Sequence, residues 1–364
     1  MRVLGFMSGT SLDGVDAAII ETDGVTVSEF GPAVLEPYTD EERTTLVQVT
    51  EAMVASGRAL VDEDMRAAHD IVLAAHLRAA AAVLSDGDAI ELIGFHGQTV
   101  LHRPERQLTI QLGDPGGLAE ALGVPVVAEL RAADLCNGGQ GAPIVPAYHA
   151  ALADRAGLAR PIAFLNLGGV ANLTWLGEGA EPMAMDTGPA NGLMDLLVQA
   201  RGLGRYDDGG RLAAAGRVHG AALQALLDHP HFGRTGPKSL DRYDFSLQPV
   251  EGLAVEDAAA TLLAFTVEAV ALAAEALPEA PRLWIACGGG RHNPALMARL
   301  AERLGSCVPA DELGFRGDFI EAEAMAFLAA RSIRGLPITF PATTGVPMPL
   351  TGGRVWQPRL GRAA

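Results

Sequence analysis

The sequence predicts an α/β fold built from two related halves. Short apolar runs typical of strands alternate with longer segments of helical periodicity along most of the chain. The apolar runs 3–6 and 15–20 flank a polar turn near the start, and the runs 162–167 and 170–176 flank a turn of two glycines in the middle. A hairpin that recurs in this way indicates two related domains with a ligand cleft between their hairpins.

Length and charge agree with this division. The chain has 364 residues, enough for about two domains, and 49% of them are hydrophobic, which allows large cores. We place the boundary near residues 155–161. This gives an N-terminal domain of residues 1–158 and a C-terminal domain of residues 159–364, whose tail could pack back on the first. The net charge of −17 argues against nucleic acid or an anionic membrane as the main partner.

The cysteines and the apolar segments favour a reducing compartment such as the cytoplasm. Cys136, Cys287 and Cys307 are widely spaced and form neither a disulfide framework nor a metal-binding pair. The first residues lack the apolar core of a signal peptide. The longest apolar segment, residues 258–277, carries two glutamates and is therefore predicted to be a buried helix and not a membrane span.

Further helices and strands are predicted along both halves of the chain. Helices are predicted over residues 40–57 and 62–84, because apolar residues recur on one helical face in the second segment. The other elements predicted for the first half are strands at 90–95, 107–112 and 124–127 and a short helix after 113–115. Those predicted for the second half are a strand ending at 186–189, helices from 191, over 213–227 and over 255–277, a strand at 282–286, a helix capped by Asn293 and Pro294, a last helix over 319–331 and a surface tail from 335.

The turn of the first hairpin, residues 9–16, is the first candidate ligand site. Its small residues let backbone N–H groups converge, and Ser8, Thr10 and Ser11 add hydroxyl donors, an arrangement that suits phosphate. Asp13 and Asp16 would repel a bare phosphate but could hold Mg²⁺ beside it. An ordinary polar hairpin is the alternative, and this stretch alone does not decide between the two.

Three further segments combine glycine with polar residues at predicted strand ends. Asn166 and Asn172 flank two glycines, where the backbone could approach a ligand or simply form a bulge. Asp186 precedes a helix, where a carboxylate points into a ligand crevice or caps a turn. Residues 287–290 include three glycines, which would let a base or ribose lie against the backbone or would only make a tight strand–helix junction.

Several familiar chemistries lack support. His96 stands alone in a predicted turn, and neither it nor His102 has metal-ligand spacing, so no zinc site is predicted. Residues 236–239 resemble a P-loop only superficially. The sequence contains neither the dinucleotide fingerprint after a strand nor the nucleophile elbow of serine hydrolases.

Eight short motifs nevertheless follow one another along the chain. They are Gly-Thr-Ser-Leu-Asp-Gly (9–14), Phe-His-Gly-Gln-Thr (95–99), Gly-Gly-Gln-Gly-Ala-Pro (138–143), Asn-Leu-Gly-Gly (166–169), Asp-Thr-Gly-Pro (186–189), Cys-Gly-Gly-Gly (287–290), Glu-Ala (321–322) and Thr-Thr-Gly (343–345). In this order they closely resemble the anhydro-N-acetylmuramic acid kinase family. Each motif is weak alone, but the ordered set is specific and runs nearly from end to end.

The resemblance implies the actin/hexokinase/Hsp70 (ASKHA) fold, in which two RNase-H-like domains close on ATP at an interdomain cleft. It implies ATP and Mg²⁺ as cofactors, with Asp13 as the metal ligand. The residues implied to bind the cofactor are Gly9, Thr10, Ser11, Leu12, Asp13, Gly14, Val15, Asp16, Asn166, Gly168, Gly169, Gly288, Gly289 and Gly290.

The resemblance also implies a reaction, in which ATP, water and 1,6-anhydro-N-acetylmuramate give ADP and N-acetylmuramate 6-phosphate during peptidoglycan recycling. Asp186 would act as the base that takes a proton from water, and the departing O6 would attack the γ-phosphate. The phosphoryl group would then replace the second carboxylic acid that an inverting glycosidase needs. A homodimer is expected. The residues implied to bind the sugar are His96, Gln98, Thr99, Arg131, Asp134, Lys238 and Glu321.

Two departures from the family pattern fall near the expected sugar side. Residues 236–242 read Gly-Pro-Lys-Ser-Leu-Asp-Arg where the family usually has Pro-Pro-Lys-Ser-Thr-Gly-Arg, and residues 129–131 read Glu-Leu-Arg where Asp-Phe-Arg is frequent. Arg131 and Lys238 are the candidates for binding the lactyl carboxylate. The alternatives are a kinase for another sugar or anhydrosugar, a non-catalytic ATP-binding regulator and an ATP-independent glycoside hydrolase.

Overall fold

The computed structural model describes residues 1–9, 11–57, 63–85, 87, 89–234, 236–240 and 244–359. The chain divides into two compact units. The first comprises Met1–Arg155 together with the chain from Phe319 onward, and the second comprises Ala156–Asp318. This differs from the expected division at residue 158, in which only the tail could return to the first domain.

The elements are numbered in chain order. Those up to Arg155 are β1 (Arg2–Ser8), β2 (Gly14–Thr22), β3 (Val27–Pro37), α1 (Asp40–Ser56), α2 (Glu63–Val83), β4 (Leu92–Arg103), β5 (Leu108–Leu112), α3 (Pro115–Leu122), β6 (Val126–Ala128), α4 (Ala132–Cys136) and α5 (Pro146–Arg155). Those of the second unit are β7 (Ile162–Leu167), β8 (Val170–Leu176), β9 (Met183–Pro189), α6 (Asn191–Ala200), α7 (Arg211–Ala215), α8 (Gly220–Leu227), α9 (Val255–Glu275), β10 (Leu283–Cys287), α10 (Pro294–Leu304) and β11 (Cys307–Pro309). Those after it are α11 (Ile320–Ile333), α12 (Pro341–Thr344) and β12 (Arg354–Trp356).

The first unit contains a seven-stranded sheet in the order β12-β6-β4-β1-β2-β3, with β5 paired to β4. Strands β1, β2 and β3 are antiparallel neighbours, whereas β4 runs parallel to β1 and β6 parallel to β4. Leu4 and Phe6 of β1 point into the core formed with α1 and α2. Gly5, between them, faces the backbone of α11, because successive residues of a strand point to opposite faces. The sheet is therefore covered by helices on both faces.

The second unit repeats this arrangement. Its sheet has the order β11-β10-β7-β8-β9, with β7, β8 and β9 antiparallel and with β10 and β11 parallel to β7. Strand order and direction match those of β6-β4-β1-β2-β3 in the first unit. The predicted α/β fold of two related halves, each opened by a hairpin, is thus confirmed.

Helix α9 is the buried helix that the sequence predicts. Among the described residues it is the one helix whose length and composition would allow it to cross a membrane. However, 72% of its most apolar 18-residue window is buried inside the protein. Its Leu262, Leu263 and Phe265 belong to the core of the second unit, which explains the apolar composition without a membrane.

Several boundaries differ from the prediction. The turn predicted at residues 96–99 is wrong, because β4 continues through them to Arg103 and pairs with β5. The single helix predicted over residues 213–227 is broken at Gly216, where a Cβ atom would lie 1.9 Å from the carbonyl oxygen of Glu256. The tail predicted to wrap the surface adds β12 antiparallel to β6 at the edge of the first sheet.

Candidate active site

The β1–β2 loop of the first unit has a constrained backbone. The Leu12 backbone N–H donates to the Gly9 carbonyl oxygen at 3.2 Å, which closes the loop on itself. Leu12 has a φ of 56°, in the left-handed region that a residue with a side chain seldom adopts. Its side chain is only 4% exposed and packs in the core of the first unit. Such backbone strain is often found at ligand-binding loops, where packing holds it in place.

The candidate ATP ligands in this loop differ in their surroundings. Ser11 and Asp13 are exposed, and Asp16 is half-buried. Thr10 lies outside the described residues. Gly14 and Val15 are buried in the sheet, and a Cβ atom on Gly14 would lie 2.3 Å from the Glu36 carbonyl oxygen. Gly14 is therefore needed for the packing of β2 against β3.

The loop is compatible with a Mg²⁺ ion that binds together with a nucleotide. No cluster of three or more His, Cys, Asp or Glu side chains that could hold a metal is found in the described part of the chain. A protein-only metal cage is thus not present there. The exposed carboxylate of Asp13 fits the usual binding of Mg²⁺ with a nucleotide, in which one or two carboxylates join phosphate oxygens and waters.

Three of the predicted sugar ligands, His96, Arg131 and Glu321, are electrostatically coupled in the first unit. The Arg131 Nε donates to His96 Nε2 at 3.0 Å, and His96 Nδ1 donates to the Gly97 carbonyl oxygen at 2.7 Å. Burial and the nearby Arg131 cation lower the pKa of His96 to about 3, so the imidazole is neutral. The pKa of the Glu321 carboxyl group is raised, because the effect of burial is larger than the opposing effect of the Arg131 cation. A cation, a neutral imidazole and a carboxyl group are therefore grouped here.

Asp134, also predicted to bind sugar, supports the loop beside this group. It is only 2% exposed. Its Oδ1 accepts from the Gly141 N–H at 2.6 Å, and its Oδ2 accepts from the Thr344 hydroxyl at 2.5 Å. A Cβ atom on Gly139 would lie 2.1 Å from Asp134 Oδ1. The carboxylate thus fixes the glycine-rich segment, and the Arg131 Nη1 donates to the Gly141 carbonyl oxygen at 2.6 Å.

In the second unit, Cys287 and three polar residues form a row across the sheet. Cys287 of β10 is paired in register with Asn166 of β7, Asn166 with Asn172 of β8, and Asn172 with Asp186 of β9. Residues paired across neighbouring strands point to the same face of a sheet. The motifs at 166–169, 186–189 and 287–290 are therefore brought together, although Asp186 lies in the middle of its strand and not at the predicted strand end.

Asp186 is held at three points. It is 7% exposed, and its Oδ2 accepts from the Leu240 N–H at 2.7 Å. Its own N–H donates to the Lys238 carbonyl oxygen at 2.9 Å, and its carbonyl oxygen accepts from His231 Nε2 at 3.1 Å. The register shifts next to it, so that Thr187 forms a β-bulge, a feature that often aims a side chain at an active site. The segment around 231–240 thus fixes both the backbone and the carboxylate of Asp186.

Lys238, a predicted ligand of the sugar carboxylate, is directed inward. Its Nζ donates to the carbonyl oxygens of His231 at 3.2 Å and Arg234 at 3.4 Å, and the residue is 9% exposed. Burial lowers the pKa of Lys238, as does the Arg234 cation, whereas the Asp186 carboxylate raises it. A cation is therefore held near the Asp186 carboxylate.

The glycines of the second unit form one corner. The Gly168 and Gly169 carbonyl oxygens accept from the first N–H groups of α6, for example from Asn191 N at 2.9 Å. A Cβ atom on Gly290 would lie 2.6 Å from the Leu167 Cβ atom, whereas one on Gly289 would meet nothing within 4 Å. Gly289 is exposed. The backbone at Gly289 is thus the part of this corner that a ligand can approach.

Sequence reasoning missed Arg291, which supports this corner. Its side chain is 3% exposed and donates to Asp311 at 2.6 Å, to Asp318 at 2.5 Å and to the Gly288 carbonyl oxygen at 3.1 Å. The two carboxylates raise the pKa of Arg291 despite its burial, and Arg291 lowers the pKa of both carboxyl groups. Because 311 and 318 are distant in sequence from 291, no local pattern predicts this network.

We expect Arg291→Lys to lower the free energy of unfolding by about 1–3 kcal/mol, because an ammonium cannot replace the guanidinium bonds to two carboxylates and a carbonyl. Urea unfolding followed by tryptophan fluorescence would measure this, since Trp175 and Trp284 are both buried in the second unit. Arg299→Lys is the control, because its 3.5 Å pair with Glu302 is exposed and should contribute under about 1 kcal/mol. Equal losses in the two variants would contradict the structural role.

Comparison with known proteins agrees with this geometry. The family model described as anhydro-N-acetylmuramic acid kinase matches residues 1–358. A protein of that name from Caulobacter vibrioides is 53% identical over 369 aligned positions, covering 98% of each chain. Another from Phenylobacterium zucineum is also 53% identical and covers 98% of this chain and 100% of the relative. One from Rhodospirillum rubrum is 51% identical and covers 97% and 93%.

Solved structures show only distant likeness. An activator of 2-hydroxyisocaproyl-CoA dehydratase from Clostridium difficile has a TM-score of 0.44 at 10% identity, with 92% of this chain and 96% of that chain covered. A ROK family glucokinase from Streptomyces griseus has a TM-score of 0.40 at 17% identity, with 91% and 100% covered. The sequence match, which spans nearly the whole chain, shows that the protein belongs to the anhydro-N-acetylmuramic acid kinase family.

Proposed function

We propose that this protein is an ATP-dependent kinase that opens 1,6-anhydro-N-acetylmuramate with water and phosphorylates O6, giving N-acetylmuramate 6-phosphate. The observation that carries the proposal is the setting of Asp186 in a chain that matches the kinase family over residues 1–358. Asp186 is only 7% exposed, and its backbone N–H, its backbone carbonyl oxygen and its Oδ2 each form a hydrogen bond. Its carboxylate is thus arranged as a general base would be. A regulator that only senses ATP has no need for such a group.

Asp186 performs the proton transfer in this proposal. It takes a proton from a water molecule as that water attacks C1 of the sugar, and the C1–O6 bond breaks. O6 attacks the γ-phosphate of ATP and the bond to the leaving ADP breaks. Lys238 favours the ionised form of Asp186, because its cation interacts with that carboxylate.

The β1–β2 loop is the proposed site for the ATP phosphates. Ser11 and Asp13 are exposed there, and packing of the buried Leu12 side chain holds the strained loop backbone in one conformation. Asp13 would hold Mg²⁺, which when bound neutralises part of the phosphate charge. In the second unit, the open backbone at Gly289 and the adjoining Gly168 and Asn166 are proposed to contact the adenosine part.

The group of His96, Arg131 and Glu321 is the proposed sugar-binding part of the first unit. The guanidinium of Arg131 is the candidate for the lactyl carboxylate, since a planar fork of donors suits that group. Neutral His96 holds Arg131 by accepting from its Nε. Lys238 is a weaker candidate for the same carboxylate, because its Nζ already donates to two carbonyl oxygens. We also propose, on the family resemblance, that the protein acts as a homodimer in cytoplasmic peptidoglycan recycling.

The reaction can be tested with the protein, Mg-ATP and 1,6-anhydro-N-acetylmuramate in ¹⁸O-labelled water, with products identified by mass spectrometry. We expect a phosphosugar with one ¹⁸O at C1 and none in the transferred phosphate. Opening of the sugar without ATP would instead indicate a hydrolase. ADP without phosphosugar would indicate a different acceptor, and other sugars and anhydrosugars would then be compared under the same conditions.

A further inference from the structure

We infer that Gln98 is a positioning residue that fixes the β1–β2 loop, and not a sugar ligand as its motif predicts. The inference rests on the proposed function of that loop in binding the ATP phosphates. The Gln98 side chain is completely buried, at 0% exposure, and its hydrogen-bonding groups face other parts of the first unit.

The amide of Gln98 is engaged at both ends. Its Nε2 donates to the carbonyl oxygens of Gly9 at 3.0 Å and Thr99 at 3.2 Å, which uses both N–H groups. Its Oε1 accepts a short hydrogen bond from the Ser8 hydroxyl. The opposite orientation of the amide would set an oxygen against two carbonyl oxygens, so these neighbours fix the orientation. A side chain bonded in this way has no donor left for a sugar hydroxyl.

The bonds of Gln98 extend into a network that reaches the other end of the loop. The Ser8 hydroxyl lies 2.9 Å from the Tyr38 hydroxyl and 3.2 Å from the Gly14 carbonyl oxygen. The Tyr38 backbone N–H donates to the Asp13 carbonyl oxygen at 3.1 Å. Gln98 therefore holds the first residue of the loop and Tyr38 holds the last.

The register of the sheet explains why Gln98 occupies this place. Ser8 of β1 is paired with Gln98 of β4 just after an irregularity in the pairing that follows Phe6. The shift brings the amide beneath Gly9, where the chain leaves the sheet. The loop residues between the two fixed ends include the exposed Ser11, so the network fixes the ends and leaves the middle accessible. Fixing a binding loop before the ligand arrives avoids the entropic cost of ordering it later.

The test compares Gln98→Glu and Ser8→Ala with the unmodified protein. Gln98→Glu keeps the size of the side chain but replaces the donor facing two carbonyl oxygens with an acceptor. We expect about a tenfold or larger rise in the KM for ATP and in the Kd for Mg-ADP measured by calorimetry. The KM for the anhydrosugar should change less than about twofold, since no sugar contact is lost. Ser8→Ala removes the other end of the same bond and should shift both nucleotide constants in the same direction, by less.

Gln199→Glu is the matched control, because the exposed Gln199 amide also donates to a backbone carbonyl, that of Arg205, at 2.9 Å. It should leave both KM values unchanged. A rise in the sugar KM with unchanged nucleotide binding in Gln98→Glu and Ser8→Ala would overturn the inference and restore Gln98 as a sugar ligand. Unchanged constants in both variants would overturn it as well. If the unmodified protein does not bind Mg-ADP at all, the proposed function fails and the inference falls with it.

Discussion

Asp186→Asn should lower the kcat for phosphosugar formation by roughly 10²–10⁴-fold, the contribution expected of a general base. The substitution removes the basic oxygen and the negative charge near Lys238, but it keeps the size and shape of the side chain. An asparagine Oδ1 can still accept from the Leu240 N–H, and the backbone bonds to Lys238 and His231 do not involve the side chain. The second unit should therefore fold normally, and the loss should reflect chemistry and not structure.

Three measurements separate these effects. Single-turnover kinetics with saturating Mg-ATP report the chemical step, calorimetry with Mg-ADP reports nucleotide binding, and thermal unfolding reports stability. We expect the single-turnover rate to fall by far more than threefold. The Kd for Mg-ADP should change by less than about threefold, and the free energy of unfolding by less than about 1 kcal/mol. Near-normal turnover of Asp186→Asn would place the base elsewhere and would remove the main support for the proposed mechanism.

Lys238→Met is an informative companion to that variant. The Asp186 carboxylate and the Lys238 ammonium interact, so removal of the cation makes the ionised form of Asp186 less favourable. The carboxyl group would then stay protonated to a higher pH. The acid limb of the kcat–pH profile should accordingly move to higher pH in Lys238→Met, whereas Asp186→Asn should abolish that limb.

The sheet of each unit could be predicted because its signal is local. The strands β1, β2, β7 and β8 are nearly continuous apolar runs, since helices or neighbouring strands bury them, and their turns contain glycine. The continuation of β4 was missed because His96 and Gln98 are polar residues inside a strand. These two side chains can be buried because they form hydrogen bonds with residues elsewhere in the chain, namely Arg131, Ser8 and Gly9.

The site residues follow the same rule. Motif order predicts Asp186 and the glycine segments as site residues, and the sheet register places Asp186 in line with Asn172 and Asn166. Roles that depend on long-range contacts were not predictable. Arg291 has partners 20 and 27 residues away. The orientation of Lys238 depends on the backbone carbonyl oxygens of His231 and Arg234, to which its Nζ donates.

The return of α11 to the first unit depends on two paired glycines. Gly5 of β1 and Gly94 of β4 are in register on neighbouring parallel strands. A Cβ atom on Gly5 would lie 1.9 Å from the Ala322 carbonyl oxygen, and one on Gly94 would lie 2.1 Å from the Met325 carbonyl oxygen. The helix backbone therefore rests directly on the strands. The predicted boundary at residue 158 places this helix in the second half, because neither the sequence of the two strands nor that of α11 indicates the contact between them.

Gly94→Ala should consequently destabilise the protein by about 3 kcal/mol or more, at the upper end of the cost of overpacking a core, because a rigid backbone and not a flexible side chain faces the added methyl group. Denaturant unfolding followed by circular dichroism would measure the loss. Gly220→Ala is the control: Gly220 opens α8, nothing lies within 4 Å of its added Cβ atom, and alanine favours a helix, so stability should be unchanged or raised by up to about 1 kcal/mol. If Gly94→Ala were as stable as Gly220→Ala, α11 could not rest on the strands as closely as the glycines imply. A loss of stability confined to Gly94→Ala would show that the backbone of α11 packs directly against β1 and β4.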